Sequence, residues 1–186
     1  MKKNEDIPFK EGYTSEKKTI SIMVANLWAL LLMTVAGVLG FVVAYALGAD
    51  ISFSLTSSLI FLLAIVVCLV VHELIHGITW IILTHTGFRH LSFGFMTGAV
   101  YCHIDVPMVK RHYVIGALMP LLLVGIVPWI AGIAAGSLLW MIIGAIMIGG
   151  AAGDIMIVWV IRKESPSTLV YDHPKEAGCY VYHKND

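Results

Sequence analysis

Residues 55–84 read LTSSLIFLLAIVVCLVVHELIHGITWIILT, and Glu73 is the only Asp, Glu, Lys or Arg in this stretch. A helix of about 20 apolar residues crosses a hydrocarbon core of about 30 Å, so the stretch is long enough to span a membrane. Three further apolar stretches of comparable length occupy residues 20–47, 114–135 and 138–161. Because lipid offers no partner for unpaired backbone N–H and C=O groups, all four are expected to be helical.

The overall composition is typical of a membrane protein. Hydrophobic residues make up 59% of the chain and charged residues 13%, whereas about a quarter of a soluble domain is charged. The 12 basic residues balance the 12 acidic ones, which argues against a nucleic-acid partner. All basic residues lie in an arm at residues 1–19, a tail at residues 162–186, and the segment between the second and third stretches. By the positive-inside rule, we predict an all-α membrane protein with four transmembrane helices in residues 20–161 and both termini cytoplasmic.

The segment between the second and third apolar stretches follows a different pattern. Apolar residues alternate with smaller or polar ones on both sides of Thr97-Gly98, which predicts a short cytoplasmic β-hairpin at about residues 87–107. An extended substrate could add to the free edge of this hairpin as another strand. The alternative is a surface hairpin that only covers the helices. The candidate substrate-binding residues at the edge are Phe93, Phe95, Val100 and Cys102.

The second stretch also contains His72-Glu73-Leu74-Ile75-His76, which matches the pattern H-E-x-x-H. Residues four apart lie on the same face of a helix, so the imidazoles of His72 and His76 can bind one ion. Two neutral imidazoles suit Zn²⁺, which in catalytic sites has three protein ligands and an open position. Glu73 would then accept a proton from the attacking water. The alternative is a polar cluster that joins helices through hydrogen bonds.

Asp154 is the candidate third ligand, because it is the only other acidic residue within the apolar stretches. Asp154 and His76 each lie eight residues before the cytoplasmic end of their helix, which places both at a depth of about 12 Å. The glycines and alanines at residues 149–153 are expected to let the fourth helix approach the second closely. Two alternatives remain: a neutral Asp154 bonded to a backbone carbonyl, or Asp105 as the ligand if the hairpin folds back over the site.

Several other polar residues have simpler interpretations. Cys68 lies one turn before His72 and is typical of a small core residue, although it could bind metal. His103 is expected to be a solvated loop histidine. Asp172 and His173 precede Pro174, which predicts a turn.

The helix with His72, Glu73 and His76, followed by an intramembrane Asp154, resembles the site-2 protease class of intramembrane metalloproteases. From about the second helix to the C-terminus, the chain more closely resembles a bacterial family of small four-helix membrane proteins described as zincin peptidases. The resemblance implies that His72, His76 and Asp154 are zinc ligands and that Glu73 is the catalytic acid/base. The chain departs from site-2 proteases at Ile155, where those proteins have the glycine of an Asp-Gly motif. The matching segments are HELIHG at 72–77, GAVYCHIDVPMVKRHYVIGALMP at 98–120, GGAAGD at 149–154, and YDHP with GCYVY at 171–182.

We therefore predict a membrane-embedded zinc-dependent endopeptidase that hydrolyses peptide bonds of membrane or membrane-proximal proteins. Its expected partners are such a substrate and the lipid bilayer, without nucleic acid, and its expected location is a bacterial cell membrane. One alternative is a metal transporter or sensor with the same ligands, although the first and third stretches contain no charged residue. Another is an inactive relative that acts as a scaffold, against which the complete H-E-x-x-H pattern argues.

Overall fold

The structure is a computed structural model that describes residues 12–49, 55–96 and 99–185. A 3₁₀ turn at Phe88–His90 precedes β2, and a π-helical turn at Leu121–Ile126 joins α3 to α4. The elements in chain order are β1 (Tyr13–Thr19), α1 (Ile22–Ala46), α2 (Leu55–Thr84), β2 (Leu91–Met96), β3 (Ala99–Ile104), β4 (Met108–Val109), α3 (Lys110–Pro120), α4 (Val127–Ala134), α5 (Leu138–Gly150), α6 (Ala152–Val160), β5 (Leu169–Asp172) and β6 (Gly178–Lys184).

Within the described residues, four helical segments are long and apolar enough to cross a membrane. The third segment combines α3, the π-helical turn and α4, and the fourth combines α5 and α6. Many of the large apolar side chains on α1 and α2 are exposed, as expected for surfaces that face lipid rather than water. These features are compatible with a multi-pass membrane protein. The four segments are Ile22–Ala46, Leu59–Thr84, Lys110–Ala134 and Leu138–Val160.

The predicted all-α class, with one short hairpin between the second and third helices, is wrong. The described residues form two antiparallel sheets, one with the strand order β1-β6-β5-β4 and one that contains β2 and β3. Strand β1 pairs with β6 along its whole length, from Tyr13 opposite Lys184 to Thr19 opposite Gly178. The segment after α2 therefore contributes to both sheets, because β4 pairs with the tail strand β5. The predicted turn at Thr97-Gly98 lies outside the described residues.

The four-stranded sheet determines how the connections are arranged around the helices. Its strands come from the segment before α1, the connection between α2 and α3, and the segment after α6. All three segments therefore lie at the same end of the helices. A buried apolar cluster joins the sheet to that end, and it includes Trp80, Ile104, Met108, Tyr113, Ile161, Val170, Cys179 and Val181.

Two glycines allow α4 and α5 to approach each other closely. A Cβ atom at Gly144 would lie 2.5 Å from the backbone nitrogen of Trp129, and a Cβ at Gly132 would lie 2.5 Å from that of Met141. Because both obstacles are backbone atoms, the two helices would have to separate to make room for side chains.

We expect Gly144→Ala to destabilise the protein by about 1–3 kcal/mol, the usual cost of overpacking a tight core. The matched control is Gly150→Ala, because a Cβ at Gly150 meets nothing within 4 Å and alanine favours a helix over glycine. Thermal unfolding in detergent micelles measures both variants. Equal midpoints for the two variants would show that the close approach of α4 and α5 is not needed for stability.

The glycines and alanines at residues 149–153 were predicted to let the fourth helix approach the second closely, but the close contact of Gly149 is with α1. A Cβ at Gly149 would lie 2.6 Å from the carbonyl oxygen of Ala29, so the tight approach at this point is to α1 rather than to α2. A Cβ at Gly153 meets nothing within 4 Å. Because Gly150 and Gly153 carry no side chain, they leave open space next to Asp154.

Candidate metal centre

The two histidines of α2 and the aspartate of α6 come together in the structure. The imidazoles of His72 and His76 are both buried, with ring centroids 4.9 Å apart. The Nε2 atom of His72 lies 3.3 Å from Oδ2 of Asp154, and the Nε2 atom of His76 lies 3.5 Å from Oδ1. One carboxylate therefore faces both imidazoles through separate oxygen atoms. Whether these three side chains bind zinc stays a prediction.

The donor atoms at this position suit a divalent cation. Ligand atoms of His72, Glu73 and His76 all lie within 4.8 Å of one another. Imidazole nitrogens and carboxylate oxygens are the ligands that Zn²⁺ takes from helices, and they are costly inside an apolar bundle without a cation. Among the described residues, Nδ1 of His72 is the buried side-chain polar atom without a hydrogen-bond partner. These residues therefore fit a zinc ion, and Asp154, which faces both imidazoles, offers a further carboxylate.

The orientation of His76 is fixed by its other ring nitrogen. The Nδ1 atom of His76 lies 2.9 Å from the carbonyl oxygen of Gly116 on α3. A carbonyl oxygen only accepts hydrogen bonds, so Nδ1 must carry the proton and donate it. When His76 is neutral, Nε2 then keeps its lone pair on the side of Asp154. A second hydrogen bond of this kind is typical of histidines that bind metals.

Glu73 lies beside strand β3. It is partly buried, and Cys102 on β3 lies close to its carboxylate. Gly77, the last residue of the HELIHG segment, allows this approach, because a Cβ there would lie 2.6 Å from Cδ1 of Leu91 and 3.1 Å from Sγ of Cys102. The two-stranded sheet of β2 and β3 therefore packs directly against the H-E-x-x-H turn of α2.

A cavity of about 460 Å³ opens beside these groups. It is lined by Glu73 and Asp154, and by residues from α1, α2, α3, α6 and both sheets. Three of the four predicted substrate-binding residues, Phe95, Val100 and Cys102, line the cavity. Phe93 is not among the lining residues, and its side chain is half exposed. The cavity is large enough for several side chains of a peptide.

Sequence reasoning missed a row of stacked rings that leads away from His76. The rings of His76 and Trp80 stack with centroids 5.3 Å apart, and those of Trp80 and Tyr113 stack with centroids 5.5 Å apart. The indole N–H of Trp80 donates a hydrogen bond to the carbonyl oxygen of Tyr113. One signal was present in the sequence, because Trp80 follows His76 by four residues and so lies on the same face of α2.

The remaining candidates lie elsewhere. Asp105, the alternative third ligand, is 2.7 Å from Nδ1 of His90 at the protein surface. Cys68 packs beside an apolar cluster of α2, α5 and the π-helical turn, as expected for a small core residue. The interpretation of His103 as a solvated loop residue is wrong, because it is buried and its Nδ1 lies 2.9 Å from Oδ2 of Asp172. His173 does sit in a turn, where its Nδ1 accepts hydrogen bonds from the backbone of the following residues.

Comparison with known proteins gives one match. Residues 65–169 match a single protein family, and the match includes His72, Glu73, His76 and Asp154. No curated protein and no solved structure matches the chain. Similarity to site-2 proteases is therefore not shown. Because the match covers more than half of the 186 residues, the chain belongs to the family described as "Putative zincin peptidase".

Proposed function

We propose that this protein is a membrane-embedded zinc-dependent endopeptidase that cleaves membrane or membrane-proximal proteins. The main support for the proposal is the position of the Asp154 carboxylate, whose oxygens lie 3.3 Å from Nε2 of His72 and 3.5 Å from Nε2 of His76. A polar cluster that only joined helices would not need two histidines, two carboxylates and a cavity at one point. Membership of a family described as zincin peptidases supports the same reaction.

The proposed chemistry assigns a role to each side chain. His72, His76 and Asp154 would hold the zinc ion, which supplies a Lewis acid that polarises a peptide carbonyl and makes water more nucleophilic. The carboxylate of Glu73 accepts the proton of the attacking water and later delivers it to the amide nitrogen of the scissile bond. Glu73 lines the cavity beside Cys102 of β3.

Strand β3 is the proposed docking edge for the substrate. Val100 and Cys102 of β3 line the same cavity as Glu73, so this strand faces the H-E-x-x-H turn. A peptide bound beside β3 as an extended strand would present its backbone to the cavity, because main-chain hydrogen bonds hold such a strand. An intact helix could not bind in this way, since its own hydrogen bonds engage its carbonyl groups. The aromatic and aliphatic lining supplied by Phe95 and Val100 favours apolar substrate side chains.

We further propose that the sheets and both termini lie on the cytoplasmic side of a bacterial cell membrane. The arm, the connection after α2 and the tail contribute strands to one sheet, which requires them to share a side. Every lysine and arginine of the chain belongs to these three segments. The positive-inside rule then assigns that side to the cytoplasm.

The experiment uses the full chain purified in detergent and loaded with zinc. We expect about one zinc ion per chain in the parent, little in His76→Ala, and the parental content in the control His85→Asn, whose imidazole is exposed just after α2. Cleavage of a labelled transmembrane peptide should stop after chelation and return with zinc. Cleavage that persists without zinc contradicts the proposal. Zinc uptake into proteoliposomes without cleavage would support the transporter instead.

A further inference from the structure

A buried polar cluster links the four-stranded sheet to the metal centre. The hydroxyl of Tyr113 donates a hydrogen bond of 3.0 Å to Oδ1 of Asp172, the last residue of β5. The other carboxylate oxygen, Oδ2, lies 2.9 Å from Nδ1 of His103 on β3. All three side chains are buried, although none of them is a proposed metal ligand. Asp172 lies outside the segment that matches the family.

Tyr113 occupies the first turns of α3, and this part of the helix touches both His76 and Trp80. The carbonyl of Tyr113 accepts the indole N–H of Trp80, and one turn later the carbonyl of Gly116 accepts the Nδ1–H of His76. A Cβ atom at Gly116 would lie 2.1 Å from Nε1 of Trp80, so only glycine allows this approach. The position of the start of α3 therefore determines how the His76 ring is held.

Asp172, on strand β5 of the four-stranded sheet, fixes the position of the start of α3. A hydrogen bond from a hydroxyl group to a buried carboxylate is stronger than a hydrogen bond between neutral groups. In the described hydrogen bonds, the carboxylate of Asp172 has two partners, Tyr113 and His103. Strand β4, immediately before α3, also pairs with β5. The sheet thus holds α3 at two neighbouring points, one through the backbone and one through the Tyr113 side chain.

We propose that Asp172 is a positioning residue for the metal centre. Through Tyr113, it holds α3 so that the carbonyl of Gly116 accepts a hydrogen bond from His76 Nδ1–H, which turns Nε2 toward Asp154. The inference rests on the proposed function, since it assumes that His76 binds zinc. Outer partners of this kind orient a ligand before the metal arrives.

The test measures zinc affinity by competition with a chromogenic chelator, using the full chain in detergent micelles. Tyr113→Phe keeps the stacked ring and removes only the hydroxyl bond to Asp172. We expect it to weaken zinc binding about tenfold, the lower end of the effect of outer partners, and to change the absorption spectrum of the Co²⁺ form. Asp172→Ala should weaken binding at least as much, and Asp172→Asn, which keeps one acceptor oxygen, should weaken it less.

Tyr180→Phe is the matched control. The hydroxyl of Tyr180 also makes a buried hydrogen bond of 3.0 Å in the same sheet, but to Nε2 of His173 rather than to the cluster. We expect the Tyr180→Phe and Tyr113→Phe variants to lose similar thermal stability without metal, and only Tyr113→Phe to lose zinc affinity. Equal zinc affinity and equal Co²⁺ spectra in the two variants overturn the positioning role and leave the peptidase proposal standing. A parent chain that binds no zinc overturns both.

Discussion

Glu73→Gln is expected to lower kcat/KM for peptide hydrolysis by about 10³-fold, within the usual range for loss of a general base. The glutamine side chain keeps the shape of the glutamate, but it cannot take a proton from water. Zinc content should remain at the parental level, because the proposed ligands are the two histidines and Asp154. Single-turnover cleavage of a labelled transmembrane peptide, together with metal analysis of the same preparation, measures both quantities.

Glu16→Gln is a suitable control, since Glu16 lies on the outer strand β1 and pairs with Lys18 at the surface. It should cleave as fast as the parent. If Glu73→Gln also cleaves at the parental rate, Glu73 is not the base. If instead it loses its zinc, Glu73 is a ligand, an arrangement that the 4.8 Å grouping with His72 and His76 would also permit.

Asp154→Ala is expected to weaken zinc binding by more than about 100-fold, because loss of a direct ligand should exceed the loss of an outer partner. The change also leaves two buried imidazoles facing an empty space rather than a carboxylate. Asp154→Asn tests whether charge matters, since the amide keeps the shape but carries no negative charge. Chelator competition measures the affinity, and thermal unfolding in micelles shows that the variants remain folded.

Asp105→Ala separates the two candidate third ligands. Asp105 is paired with His90 at the surface of the second sheet, so its removal should change zinc affinity by no more than about twofold. Strong zinc binding by Asp154→Ala combined with weak binding by Asp105→Ala would reverse the assignment of the third ligand.

The four long apolar helices were predictable because their signal is local. A continuous apolar run needs no knowledge of tertiary contacts, and the four predicted stretches correspond to the four helical segments of the structure. The four-stranded sheet was not predictable in this way. Strand β1 reads YTSEKKT and shows little apolar alternation, and its partner β6 lies at the other end of the chain. Such a polar strand is recognisable only through the partner that pairs with it.

The candidate site shows the same division between local and long-range information. The H-E-x-x-H spacing alone placed two imidazoles on one face, and equal depth in the membrane suggested Asp154. The supporting contacts depend on tertiary structure, because Gly116 and Tyr113 become relevant only once α3 lies against α2. Asp172 was misleading for a further reason: its position before His173 and Pro174 suggested a turn, whereas its side chain points back to α3.

The pairing of β1 with β6 also limits when the four-stranded sheet can form during synthesis of the chain. About 160 residues separate the two strands, and at about 5–20 residues per second β1 emerges from the ribosome about 8–30 s before its partner. All four helices are complete before β6 exists. The four-stranded sheet, which carries Asp172, therefore cannot be completed until all four helices have been synthesised.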